Sequence, residues 1–311
     1  MKTNKLIVVF LILISSWTFG QDLTWQDLML RDRVKSITEV SYNGKLTANG
    51  YEIVQKGWES SWQMDSKTEF DSNGKKIRQT FFDTQSKISR IERFVYTDGK
   101  IVSSEMLYHT RTYKYDSLGR LDSITEINRE PSQISASNAN IPGKDKKLTY
   151  KFEYDETNQL TQKHCLDTTG TIVGVTRYIY DENGRLSKEL ILFRDYNESY
   201  NYSYDTSGKL ITKSWYDSDE GLIEKTTYTY DNDIKTHEYW ENYYDGELEG
   251  RISYAFEKGN EKEIIETDDS GGIDAKWSFQ YVYDIKDNWI KQIVTIDDGE
   301  IFIIERQIEY Y

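Results

Sequence analysis

The chain has 311 residues with a single cysteine, two prolines and a formal net charge of −14. One cysteine excludes an intramolecular disulfide, and lysines and arginines scattered singly among a larger number of acids exclude phosphate-backbone binding, which needs clustered cations that release counterions. The acid excess reads as ordinary solvation of a surface.

Residues 1–20 separate from the rest. Lys2 and Lys5 precede an apolar run from Leu6 to Ile14, followed by the small residues Ser15, Ser16 and Gly20. This is the pattern of a secretory signal peptide, too short to span a bilayer, with cleavage expected near Gly20 and Gln21. Removal of Lys2 and Lys5, unaccompanied by any acid, takes the charge from −14 to −16. An exported location follows: periplasm, cell surface or extracellular space. No cysteine follows the apolar run to carry a lipid, and Cys165 is expected to be a small core or surface residue. No later stretch has the length of about 20 apolar residues that a membrane helix requires.

Residues 21–35 form an N-terminal segment in which Leu23, Gln26, Asp27, Leu30 and Val34 allow a short amphipathic cap over the first edge strand. From residue 36 to 311 a repeat dominates, and a fixed period decides the fold before local propensity does. The clearest copies are Tyr113–Leu121, Tyr178–Leu186 and Tyr202–Leu210, each reading Tyr-x-Tyr-Asp-x-x-Gly-Arg/Lys-Leu. Aromatic residues before the turn recur at 42, 70, 96, 115, 154, 180, 204, 230, 256, 283 and 310, and from 154 onward the steps are 24 to 27 residues. Residues 128–147 interrupt the array with both prolines, and read as a long loop at a hairpin tip within a single domain.

Each motif position has a mechanical reading. The Asp side chain accepts hydrogen bonds from backbone amides two residues on, and the Gly supplies positive φ, closing a type I turn into a bulged hairpin. Tyr115, Asp116 and Gly119, Tyr180, Asp181 and Gly184, Tyr204, Asp205 and Gly208, Tyr230 and Asp231, and Tyr283 and Asp284 are the structural repeat residues. Second turns such as Asp167–Gly170 and Asp268–Gly272 fall midway, so each period holds two strands and two turns. The expected fold is all-β: a long, twisted, spiralling antiparallel meander of about ten hairpin repeats, its tyrosine face turned inward.

The nine residues Tyr178–Leu186 resemble the YD repeat of the Rhs family. The resemblance implies a spiralling β-sheet shell. In the long members the shell encloses a toxin segment that follows a core-associated region; neither is recognisable in this chain, which reads as a short secreted member. The motif encodes turns, and turns do not choose ligands.

Catalytic constellations are not visible. His109, His164 and His237 are far apart and lack metal-ligand spacing, no Gly-x-Ser-x-Gly elbow is present, and the Asp residues are mostly accounted for by turns. No cofactor and no metal is expected, the solvated tips Asp268–Asp269 and Asp297–Asp298 lacking EF-hand spacing. The remaining functional signal is aromatic. Trp25, Trp58, Trp62, Trp215, Trp240, Trp277 and Trp289 stand beside 25 tyrosines, and Trp215, Trp240 and Trp277 are the candidate binding aromatics, the first two the best placed for exposure. The expected role is a non-enzymatic interaction or structural module of the bacterial cell envelope, with an envelope protein or glycan as partner, no nucleic acid and no membrane span after signal removal. A carbohydrate-binding module is the alternative and a hydrolase of envelope polymers a distant third.

Overall fold

The structure, a computed structural model, describes residues 24–56, 63–106, 108–128, 133–134, 140–141, 146–194, 196–218 and 221–311. The expected signal peptide, Trp58, Trp62 and most of the 128–147 loop lie outside the described residues. The described residues form twenty-three strands: β1 (Val34–Thr47), β2 (Gly50–Lys56), β3 (Ser66–Phe70), β4 (Lys76–Phe82), β5 (Ile88–Thr97), β6 (Lys100–Glu105), β7 (His109–Tyr115), β8 (Leu121–Asn128), β9 (Gln133–Ile134), β10 (Asn140–Ile141), β11 (Lys146–Tyr154) and β12 (Leu160–Leu166). The series continues with β13 (Ile172–Tyr180), β14 (Leu186–Phe193), β15 (Asn197–Tyr204), β16 (Leu210–Asp217), β17 (Gly221–Asp231), β18 (Ile234–Tyr244), β19 (Glu247–Glu257), β20 (Asn260–Asp268), β21 (Ile273–Tyr283), β22 (Trp289–Ile296) and β23 (Ile301–Tyr310).

Consecutive strands pair antiparallel, as the repeat requires, but the sheet does not stay open. β1 pairs along Val34–Asn43 with β23 and along Ser36–Glu39 with β3, so the first strand bridges the last repeat to the next strand of the array. With β8 paired directly to β11, the strands β1, β3 to β8 and β11 to β23 make a closed ring of twenty. The expected spiral is therefore corrected to a barrel. The physical reason lies in β1, whose 14 residues present hydrogen-bonding groups on both sides and satisfy the two edges that an open meander leaves unpaired. β2 folds back on the far end of β1, from Tyr42 to Thr47, as a side strand.

The turns follow the motif. Asp116 Oδ1 accepts from the Leu118 and Arg120 amides at 2.9 and 2.8 Å, and Asp181, Asp205 and Asp284 repeat the arrangement. Gly208, at φ +90°, closes one such turn, and a one-residue register shift at each second tyrosine marks the bulge. Asp231 departs from the expectation. It belongs to a two-residue turn, pairs with Ile234, and its carboxylate accepts only from the Asn232 side chain among the hydrogen bonds seen.

The two remaining motif positions stitch neighbouring repeats. In four successive copies the second tyrosine donates its hydroxyl to the backbone carbonyl that follows the preceding turn: Tyr154 to Leu121, Tyr180 to Leu160, Tyr204 to Leu186 and Tyr230 to Leu210, at 2.8 to 2.9 Å. The Arg or Lys after the glycine lies over the tyrosine of the next copy, with Arg120 4.6 Å from the Tyr154 centroid and Lys209 5.6 Å from that of Tyr230. The copies ending at Tyr154, Tyr204 and Tyr230 are thus fastened to their neighbours by backbone pairing, a hydroxyl and a cation–π contact, while at Tyr180 Gln159 stands where the others have the cation.

The segment Thr24–Leu30 forms turns and no helix. Trp25 packs on Phe70 with Leu30, Val34 and Ile37, and its indole N–H donates to the Val34 carbonyl at 2.7 Å. Asn288, 2% exposed, accepts from the Arg31 amide at 2.7 Å and donates to the Arg31 carbonyl and the Tyr310 hydroxyl at 2.9 and 2.8 Å. The N-terminal segment therefore laces the seam between first and last strands.

Candidate functional site

Alternation of side chains along a strand divides the barrel wall into two faces. The outer face carries Lys151, Glu153, Arg177 and Lys225 together with exposed apolar residues such as Val95, Ile179 and Val282. The inner face carries the tyrosines. It is filled differently around the ring: on β20 to β23 Ile264, Trp277, Phe279, Val294 and Ile304 form a tight apolar cluster, and on β5 to β8 Phe94, Ile101, Tyr113 and Ile124 form another.

Between them, on the inner face of β11 to β18, a cavity of about 800 Å³ remains open. The sequence makes the space with small residues. Gly174, Thr176 and Thr226 occupy inner positions where neighbouring repeats carry larger side chains, and the Phe193 ring fills the gap over Gly174 so closely that a Cβ there would meet its Cε1 at 2.5 Å. The size falls within the usual range for ligand pockets of small organic molecules.

Register sets the polar groups of this wall in a row. Tyr178 stands opposite Glu189, Glu189 opposite Tyr200, Tyr200 opposite Trp215, and Trp215 opposite Glu224. The Tyr200 and Trp215 rings stack at 6.2 Å and 13°. Tyr202 donates its hydroxyl to Glu189 Oε1 at 2.8 Å; burial and that carboxylate hold its phenol far above the ordinary range. Lys213 Nζ lies 4.8 Å from the Tyr200 centroid.

The charges are desolvated. Burial raises the Glu224 carboxyl pKa, and nearby Lys213 opposes the rise. Burial lowers the Lys163 pKa, and Glu189 opposes the fall. Glu198 is raised by burial and by the like-charged Asp217, while the Trp215 indole opposes; that indole N–H lies near Glu198 but is itself buried without a hydrogen-bond partner. Cys165 also faces the cavity, its thiol pushed up mainly by burial, which suppresses the thiolate a nucleophile needs.

The aromatic candidates separate. Trp215 and Trp240 line the cavity, so neither stands on the outer surface, and Trp240 donates to Glu238. Trp277, 6% exposed, is part of the β20 to β23 cluster and does not join them. The histidines stay apart: His164 on β12 meets Glu153 at 3.1 Å, His237 on β18 stacks with Tyr239, and His109 lies on β7, its pKa lowered mainly by burial. Asp268 spends its carboxylate on the Gly272 amide and the Ser270 hydroxyl. Sequence reasoning missed Glu189, Glu198, Glu224, Lys163 and Lys213. Their signal was the inner-face phase set by the aromatics: Glu198 lies two residues from Tyr200, Glu189 opposite Tyr200, Lys213 opposite Tyr202, Glu224 opposite Trp215 and Lys163 opposite Phe152.

No curated protein matches this chain. Among solved structures it is similar to a porin-like protein from Bacteroides uniformis, with 14% identity over 70% of this chain and 94% of that one and a TM-score of 0.36. It is also similar to TcdB2–TccC3 without its hypervariable C-terminal region, with 13% identity over 77% of this chain and 14% of that one and a TM-score of 0.35. A third similarity is to an outer membrane lipoprotein-sorting protein domain from Vibrio parahaemolyticus, with 8% identity, 89% and 85% coverage and a TM-score of 0.16. The family model described as Teneurin YD-shell matches residues 58–246, more than half of the chain, and includes the tyrosine, aspartate, glycine and arginine positions that stitch β7 to β18 together; this chain belongs to the Teneurin YD-shell family.

Proposed function

We propose that this chain is an exported, non-catalytic shell module of the bacterial cell envelope that works by presenting its closed wall to a partner. One observation carries the reading: the residues repeated most strictly are consumed in building the wall. Asp181 and Asp205 hold turn amides, Tyr180 and Tyr204 hold neighbouring carbonyls, and Arg185 covers Tyr204. A repeat whose turn aspartates and second tyrosines serve the wall is architecture, and architecture of this kind supports binding in place of turnover. The charged leader of residues 1–20 supports export.

The test is an affinity capture with the exported chain as bait against solubilised envelope of the native host. One specific protein partner, retained by the wild type and lost when outer-face residues such as Lys151 and Arg177 are reversed in charge, is the expected result. Turnover of an envelope polymer by the purified chain, abolished by replacement of a single inner carboxylate, would overturn it.

A second reading, carbohydrate binding, is favoured by one placement: Trp215 and Trp240 both line the cavity beside carboxylates and tyrosine hydroxyls. Titration with envelope polysaccharide fragments decides it, saturable binding lost in Trp240→Ala being its signature.

A further inference from the structure

The mouth of the cavity holds an arrangement that the stitching of the wall does not use. Tyr196, Glu198 and Tyr200 alternate at the start of β15 and share its inner face. Phe193 of β14 stacks on Tyr196 at 4.9 Å and 22°, and Trp215 of β16 stacks on Tyr200 at 6.2 Å and 13°. Glu198 stands between these two aromatic pairs, and across the β15–β16 ladder it faces Asp217.

The other inner carboxylates of the cavity have lysines to answer them. Lys163 is the charge acting on Glu189's side of the wall, and Lys213 is the charge that acts most strongly on Glu224. Among the described residues, the influences on Glu198 are burial, a like charge and an indole, with no cation among them. The charged groups facing the cavity are Lys163 and Lys213 against Glu189, Glu198 and Glu224, three acids to two bases. The wall is therefore one positive charge short, and the shortage falls where the aromatic faces are concentrated.

We propose that this mouth, formed by Glu198 between the Phe193–Tyr196 and Tyr200–Trp215 pairs, binds a small organic ammonium ion: a quaternary or alkylated amine. Such a cation carries a diffuse, weakly hydrated charge that ring faces attract through their quadrupole and carboxylates attract directly. The wall already seats one ammonium in this way, since Lys213 lies 4.8 Å from the Tyr200 centroid. An inorganic divalent cation fits poorly, because it needs six or more oxygen ligands, and aromatic rings supply none. A neutral ligand leaves the charge of Glu198 unanswered. The assignment goes beyond the shell reading and does not depend on it.

The test uses two probes of equal shape, choline and its uncharged isostere 3,3-dimethylbutan-1-ol, titrated into the full chain while tryptophan fluorescence is followed. Saturable quenching by choline, weakened at least about tenfold for the isostere, is expected; about tenfold corresponds to a cation–π and charge contribution near 1.4 kcal/mol. Glu198→Gln and Trp215→Leu should each weaken choline binding by about tenfold, with far-ultraviolet circular dichroism and melting of Glu198→Gln unchanged. Co-sedimentation with phosphatidylcholine vesicles distinguishes a free ligand from a headgroup, and none is expected, because the site opens inside a wall with a charged exterior. Equal binding of choline and the isostere, no saturable response to choline, wild-type binding by folded Glu198→Gln, or vesicle co-sedimentation lost in Glu198→Gln would each overturn the proposal.

Discussion

The Arg185 guanidinium lies 4.8 Å from the centre of the Tyr204 ring, one repeat further along the wall, while its Nε donates to Asp181 Oδ2 at 2.7 Å in its own turn. One side chain thus holds its own hairpin and roofs the next. Arg185→Gln is expected to lower stability by about 0.5–1 kcal/mol, the range of an exposed cation–π contact, and the loss should be largely absent in a Tyr204→Leu background. A double-mutant cycle measured by urea unfolding checks the coupling.

The tyrosine hydroxyls make a second, independent series. Tyr180→Phe and Tyr204→Phe each remove one hydrogen bond to a carbonyl, at Leu160 and Leu186. Each is expected to cost about 1 kcal/mol. The repeats are separate contacts, so the two losses should add within a few tenths of a kcal/mol in the double variant, which thermal melting can measure.

On acidification the raised carboxyls of the cavity take up protons first and the depressed turn aspartates last, and it is the turns whose protonation loosens the fold. Hydrogen bonds from Arg120, Thr157 and Ser207 head the influences that hold the Asp116, Asp155 and Asp205 carboxyls below their ordinary value, while the Arg185 amide does so for Asp181. A depressed carboxyl stabilises the fold fully above its unfolded value, and that contribution disappears as pH falls through the folded value. Unfolding free energy should therefore decline below about pH 4. Glu198, Glu224 and Glu261, raised chiefly by burial, work in the opposite sense, since their protonation relieves a cost. Urea unfolding at pH 3 and pH 7, repeated with Asp205→Asn, checks the sign: the variant should lose less on acidification.

Lys76 is a buried cation on the inner face. Its Nζ donates to Gln79 Oε1 at 2.6 Å and sits 4.8 Å from the Phe94 centroid, yet burial brings its pKa down to about 8. Between pH 8 and the unfolded value the unfolded chain holds a proton that the folded chain has released, so stability should rise with pH across that window. Lys76→Met is expected to flatten the rise and to stabilise the fold at pH 7 by about 1–3 kcal/mol, reduced by the stranding of Gln79. Chemical unfolding across pH 7 to 10 measures both.

The seam depends on one amide. Asn288→Ala strips the Arg31 backbone and the Tyr310 hydroxyl of their partner at a nearly solvent-free position. A loss of about 2–4 kcal/mol is expected, together with faster proteolysis at Arg31 and Arg33. Protection of those sites equal to the wild type would show that the seam is held elsewhere.

Turns, strand phase and the inward tyrosine face were legible in the sequence because Asp-x-x-Gly and period-two alternation are local signals. Asp231 misled, since its Tyr-Asp reads like the others while the Asn232–Asp233 turn that follows is two residues long. Closure was not legible: β1 pairing with both β23 and β3 is a property of accumulated twist and of one long strand, and no local motif encodes it. Trp215 and Trp240 were legible as aromatics on one face, but which side of a wall is exposed is undefined until the wall closes. The acids and lysines of the cavity were hidden by their number, since a chain with 53 acidic residues gives no reason to single out Glu198.

Nearly every strand pair of the barrel joins neighbours a few residues apart, but Ser36 pairs with Glu309, across almost the whole described chain. Hairpins of this kind form in microseconds, whereas bringing ends that far apart together carries the full entropy of closing a long loop. The wall is therefore expected to assemble by zipping from many starting points and to join β1 to β23 last. Interrupted refolding should find native-like hairpins, protected from hydrogen exchange, in molecules whose β1 amides facing β23 still exchange freely. The single long-range pairing that turns a ribbon into a vessel is thus also the step that sets how fast the protein becomes complete.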